Sequence, residues 1–181
     1  MLHVGDAAPT VTLRPIFGLA RSVPPAAGEG PLVLCFVRPF ASPFSRAVMA
    51  AIQARYADFD RVGVQLMVVT RTDLAEARDF VPRYHVLAPV VVDVDGALHD
   101  RFGVGVDKGL VRSLAGLASP ATVRTAVDAL RHGHGRPHPR ITQLGAQFVV
   151  GPDGRLAMVH YDRTIFERPD LDALLACASA L

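Results

Sequence analysis

The chain has 181 residues, half of them hydrophobic and a fifth charged, with a formal net charge of +2. That length supports one domain, residues 1–181, with a real core, while the small charge and the lack of a dense Lys/Arg run argue against nucleic acid as a partner. No apolar run approaches the roughly 20 residues of a membrane span, and Met1 to Asp6 lacks the charged-then-apolar layout of a secretory signal, so no membrane partner and a cytoplasmic location are expected.

Val11 to Leu13 can form a short strand after Gly5-Asp6-Ala7-Ala8-Pro9. Pro24-Pro25 and Gly28-Glu29-Gly30-Pro31 mark a loop. Pro31 to Val37 is apolar with little alternation, as expected for a central strand buried on both faces. Pro43 to Phe59 has helical spacing, and Gly63 to Thr70 reads as a second buried strand. Thr72 or Asp73 can cap a helix to Tyr84 or His85, with Pro82 disturbing its last turn. Pro89 to Val94 is a short strand, Asp95-Gly96 a turn, and Ala97 to Phe102 a short helix. Ser119-Pro120 predicts a helix start, with the helix running to about His132. Gln147 to Val150, the turn Gly151-Pro152-Asp153-Gly154, and Arg155 to Tyr161 form a hairpin. Asp170 caps a last helix, Leu171 to Leu181. Strand–helix alternation ending in a hairpin predicts an α/β fold, a mixed central sheet with helices on both faces.

The densest chemistry lies at Ser42-Pro43-Phe44-Ser45-Arg46. In a purely structural reading, Ser42 caps the helix and Pro43 is its first residue. In a functional reading, positions i and i+3 share a face of the first turn, where free N–H groups and the helix dipole favour negative charge. Arg38 and Arg46 add formal charge nearby, and the place suits an anion or a carbonyl oxygen. The residues alone leave both readings open.

Other candidates are weaker. His132, His134 and His138 could bind zinc, but the flanking Gly, Pro and Arg suit a solvated loop, and no metal is expected. Gly103-Val104-Gly105 lacks the spacing of a dinucleotide loop. Ser42, His160 and Asp162 could supply a hydrolase triad, but no Gly-x-Ser-x-Gly elbow surrounds Ser42. The two cysteines, Cys35 in an apolar strand and Cys177 on an apolar helix face, do not make a disulfide framework. Buried free thiols are the expectation, with Cys35 the closer to the candidate site.

In order, Val4-Gly5-Asp6-Ala7-Ala8-Pro9, Phe36-Val37-Arg38, Ser42-Pro43-Phe44-Ser45-Arg46, Asp93-Val94-Asp95-Gly96, Gln143 to Val150 and Pro152-Asp153-Gly154 span nearly the whole chain. Together they resemble the peroxiredoxins of the alkyl hydroperoxide reductase/thiol-specific antioxidant group. The closest likeness is the peroxiredoxin-like branch whose helix starts Cys-Pro-x-Cys. The resemblance implies a thioredoxin-like fold with a peroxiredoxin-type N-terminal extension. It also implies a site at the start of the Pro43 helix, faced by the Gln143–Ala146 loop. The expected catalytic residues are Ser42, Ser45, Arg38 and Arg46, with Pro39, Phe44, Gln143, Gly145 and, at a strand end, His160 as expected ligand-binding residues. No cofactor is expected, and the partners to look for are a small-molecule ligand and a second copy of the chain.

In that branch the Ser42 position would hold the peroxide-reacting cysteine and the Ser45 position a resolving one. A thiolate forms a sulfenic acid that a second thiol resolves; a hydroxyl does neither. An engineered pair of serines, a natural pseudo-peroxiredoxin, and a pocket reused without thiols all fit this departure. The expected function is therefore a peroxiredoxin-like oxidoreductase by family that lacks its thiols. The alternatives are thiol-independent chemistry or binding of a small metabolite, and a non-catalytic regulatory module.

Overall fold

Residues 1–107, 124, 127–133, 139, 140 and 142–181 are described by the structure, a computed structural model. Its organising element is β3 (Leu32–Val37), whose six residues are all buried. The strand has no polar face because both of its sides are covered. Val33, Cys35 and Val37 enter one core, and Leu32, Leu34 and Phe36 enter the other, as the period of two requires.

Around β3 lies a five-stranded mixed sheet in the order β5-β4-β3-β6-β7. β4 (Gln65–Thr70) pairs parallel with β3, and β5 (Val90–Val92) pairs parallel with β4. On the other side β6 (Ala146–Val150) runs antiparallel to β3, and β7 (Leu156–Tyr161) antiparallel to β6. One face is covered by α1 (Pro43–Arg61), α2 (Leu74–Arg83) and the last helix, α4 (Leu171–Ser179). The other is covered by α3 (Ala97–Arg101) and by an N-terminal hairpin of β1 (Val11–Leu13) and β2 (Arg21–Val23). This is the mixed α/β, thioredoxin-like arrangement expected, with the N-terminal residues laid over the second face.

The element ends agree with the expected ones to within a few residues. Pro82 sits inside the last turn of α2, and His85 just beyond it takes a positive φ of 49°. Asp170 caps α4 by accepting a hydrogen bond from the Ala173 N–H (2.9 Å). β2 was not expected: Arg21-Ser22-Val23 is too short for a visible alternation, and its pairing with Val11–Leu13 defines it. Most of the helix expected from Ser119 lies outside the described residues, although 127–130 are helical. His134 and His138 also lie outside them. None of the described helices is long and apolar enough to cross a membrane.

Candidate functional site

The chain leaves the C-terminal end of β3 and turns through Arg38–Ala41 into α1. Two buried threonines hold this turn. Thr72 Oγ1 accepts the Phe40 N–H (2.9 Å), and Thr70 Oγ1 donates to the Arg38 carbonyl (3.3 Å). With the Thr70 proton committed there, the 2.8 Å contact between the two hydroxyls has Thr72 as donor. The turn is thus fixed by the end of the neighbouring parallel strand, where open sheets place their ligand sites.

Beside it is a cleft lined by Arg38, Phe44, Ser45, Val48, Gly145, Gln147, Asp162 and Glu167, with Cys35 in its floor. It spans about 340 Å³ including its open mouth, but only about 20 Å³ admits the centre of a water molecule. That space holds one water-sized group, so the cleft takes a small polar tip and has no room for a nucleotide.

Four of the expected site residues line this cleft: Arg38, Phe44, Ser45 and Gly145. Ser45 is 2% exposed, and its Oγ has no hydrogen-bond partner among the described residues. Arg38 Nη1 donates to the Ile165 carbonyl (3.0 Å), and the guanidinium lies 5.6 Å from the Phe44 ring centre. Burial lowers the Arg38 pKa to about 10, against the pull of Asp162 and Asp107.

The other expected residues sit elsewhere. Ser42 is the N-cap of α1, but its side chain makes no capping hydrogen bond, and it does not line the cleft. Pro39 supplies the carbonyl that accepts the Ser42 N–H (3.0 Å). Arg46 turns away: Nε donates to the Phe40 carbonyl (2.8 Å), Nη1 to the Tyr84 hydroxyl (3.1 Å), and the guanidinium lies 5.6 Å from the centres of the Phe80 and Tyr84 rings. Gln143 is buried behind the loop, where its amide donates to the Gly105 carbonyl (2.8 Å) and accepts from Arg71 (3.3 Å). It fixes the loop's position from behind. His160 is half-exposed outside the cleft, with Nε2 3.6 Å from Asp162 Oδ1 and 3.4 Å from Glu167 Oε2.

Gln147 and Glu167 were not expected to line the cleft; Asp162, a candidate triad member with Ser42 and His160, lines it beside them. Gln147 Nε2 donates to Asp162 Oδ1 (3.2 Å). A glutamine in the otherwise apolar run Ala146–Val150 is a readable sign of a buried polar partner, but the identity of that partner depends on the β6–β7 register. Burial raises the Asp162 carboxyl above its ordinary range, working against the Gln147 hydrogen bond, and Glu167 repels it further. Gly145 makes the close packing possible. A Cβ there would press into the Asp162 carboxylate and come within 2.9 Å of the Phe36 carbonyl. The ionisable lining of the cleft is Asp162 and Glu167 opposite Arg38.

Burial pushes the Cys35 thiol up to about 12, with Asp162 adding to the shift. Burial also raises Cys177. Both are free thiols; Cys35 is buried as expected, but Cys177 is only partly buried.

Residues 51–164 match the model of the AhpC/TSA antioxidant enzyme family. The chain belongs to this family. The match begins inside α1, so it includes Gly145, His160 and Asp162 and excludes Arg38, Ser42, Ser45 and Arg46. Similar solved structures include peroxidoxin BcpB from Mycobacterium tuberculosis (16% identity over 100% of this chain and 99% of that one, TM-score 0.69). Another is the bacterioferritin comigratory protein of Xanthomonas campestris (19% identity, 97% and 98% covered, TM-score 0.66). A third is a cysteine-to-serine mutant of PrxQ from Xylella fastidiosa (14% identity, 99% and 97% covered, TM-score 0.69). These likenesses establish the peroxiredoxin, thioredoxin-like fold. No curated protein matches the sequence.

Proposed function

We propose that this AhpC/TSA family member is not a thiol peroxidase, and that its cleft takes the polar tip of a small ligand by hydrogen bonding and electrostatics. The observation carrying this reading is the state of the sulfur. The sequence holds two cysteines; Cys35 is buried with its pKa near 12, and Cys177 is raised by burial. Peroxide reduction needs a thiolate, which the buried Cys35 does not supply, and the partly buried Cys177 lies on α4, outside the cleft lining. The serines at the start of α1 are hydroxyls that need a neighbouring base to become nucleophiles.

What the cleft offers instead is a hydroxyl, a guanidinium and two carboxylates around a water-sized space. Ser45 Oγ can donate to or accept from a ligand oxygen, Arg38 can donate, and Asp162 and Glu167 can accept. A neutral polar group or a cation therefore fits better than a carboxylate or phosphate. The reading treats the chain as one domain. It includes a cytoplasmic setting, supported by the two free thiols, and a homodimer as the assembly to test by sedimentation.

The test is peroxide consumption with a thiol reductant, run on the wild type and on the double variant Ser42→Cys with Ser45→Cys. The wild type is expected to give no turnover. The introduced thiols, three residues apart at a helix start, are expected to form a reducible disulfide. Multiple turnovers by the wild type would overturn the proposal.

A further inference from the structure

At the mouth of the cleft three side chains converge that sequence spacing alone does not bring together. His160 belongs to the end of β7, Asp162 follows it, and Glu167 returns from the next loop. One donor atom from each lies within 4.8 Å of the other two. We propose that His160 Nε2, Asp162 Oδ1 and Glu167 Oε2 form a site for a divalent metal ion of the zinc class.

The two separations from His160 fit an ion, and all three donors lie within 4.8 Å of one another. Donors held about 2.1 Å from a tetrahedral zinc stand about 3.4 Å apart, against about 3.0 Å for adjacent octahedral positions. His160 Nε2 is 3.4 Å from Glu167 Oε2 and 3.6 Å from Asp162 Oδ1. Neighbouring groups also hold the donors in position. Gln147 Nε2 donates to Asp162 Oδ1 and fixes that carboxylate, whose other oxygen lies against Gly145. Glu167 Oε1 accepts the Arg163 N–H (3.1 Å), which leaves Oε2 for the ion. One imidazole with two carboxylates suits zinc and neighbouring transition ions.

A second observation points to a ligand here. Asp162 and Glu167 line the same cleft as Ser45, whose buried Oγ lacks a partner among the described residues. Three protein donors leave a fourth tetrahedral position open, as in catalytic rather than closed structural zinc sites. Ser45 Oγ, in the lining of the same cleft, is a polar group that a ligand entering there can engage. The charge balance agrees: among the lining side chains, Asp162 and Glu167 face Arg38 alone. This proposal goes beyond the absence of thiol chemistry and stands or falls separately from it.

The test is titration of Zn²⁺ into the metal-stripped full chain, read by competition with a chromophoric chelator and by the change in Tm. One equivalent is expected to bind and to raise Tm. His160→Ala and Glu167→Gln, both at partly exposed positions where folding should survive, are expected to weaken binding at least tenfold each and to abolish the Tm rise. The triple variant His132→Ala, His134→Ala, His138→Ala is expected to bind like the wild type. No saturable binding, or binding that survives His160→Ala and disappears in the triple variant, would overturn the proposal.

Discussion

Asp93→Ala removes a buried anchor on the face of the sheet opposite α1. Asp93 is 4% exposed, and its partner His99 1%. The carboxylate faces His99 Nδ1 at 2.6 Å and accepts the backbone N–H groups of His99 (2.9 Å) and Leu98 (3.1 Å). Gly96, the N-cap of α3, has no side chain to cap with, so Asp93 serves the first turn of α3 from a distance. Burial alone would raise its pKa, but the His99 side chain and the two backbone donors outweigh it and bring it down to about 2. A lowered carboxyl stabilises the fold above its unfolded pKa, and that contribution is lost as pH falls through the folded value. From 3.8 to about 2 the charge-linked part is about 2 kcal/mol at neutral pH. Orphaning three buried donors adds part of their desolvation cost, so the total loss is about 3 kcal/mol, large beside a whole stability of about 5–15 kcal/mol. Urea unfolding of wild type and variant at about pH 7 and at about pH 3 measures it. The midpoint should fall with the slope unchanged, and the gap should narrow in acid, where the wild type begins to lose the same charge. A loss below about 0.5 kcal/mol at neutral pH, or a gap that does not change with pH, would refute this reasoning.

Two further predictions concern the site. Ser42→Ala should cost little stability, within about 0.5 kcal/mol, because the hydroxyl makes no capping bond. Asp170→Ala should cost about 1 kcal/mol, because that carboxylate does cap its helix; thermal unfolding of the pair would show the contrast, and equal losses would contradict it. Gly145→Ala should destabilise by about 1–3 kcal/mol through overpacking against the Asp162 carboxylate and the Phe36 carbonyl. Unchanged stability in urea titration would mean that Asp162 is not pinned there.

The sheet was legible because burial left direct marks on it. Pro31 to Val37 reads as a two-sided core strand, and β4 and β6 carry similar runs. β2 was not legible, because three residues carry no period and its partner is ten residues away. Within the site, Ser45 and Arg38 were found from the helix start and the end of β3. Arg46 was placed beside them by the same logic, yet its side chain is drawn off by the Phe40 carbonyl and by the Phe80 and Tyr84 rings. No helical spacing reports that competition. Asp162 was a candidate with His160, but Glu167 escaped because its convergence with them depends on how the chain bends after β7, and a bend of that kind leaves no pattern in sequence.

The central claim is that no thiol of this chain reacts with peroxide in the folded state. Intact-mass and peptide mass spectrometry after brief exposure to peroxide with a sulfenic-acid trap tests it directly. The account predicts no sulfenic adduct at Cys35 or Cys177 in the native protein, and labelling of the buried Cys35 by an alkylating reagent only once urea exposes it. A stoichiometric sulfenic adduct at Cys35 in the native protein would contradict it.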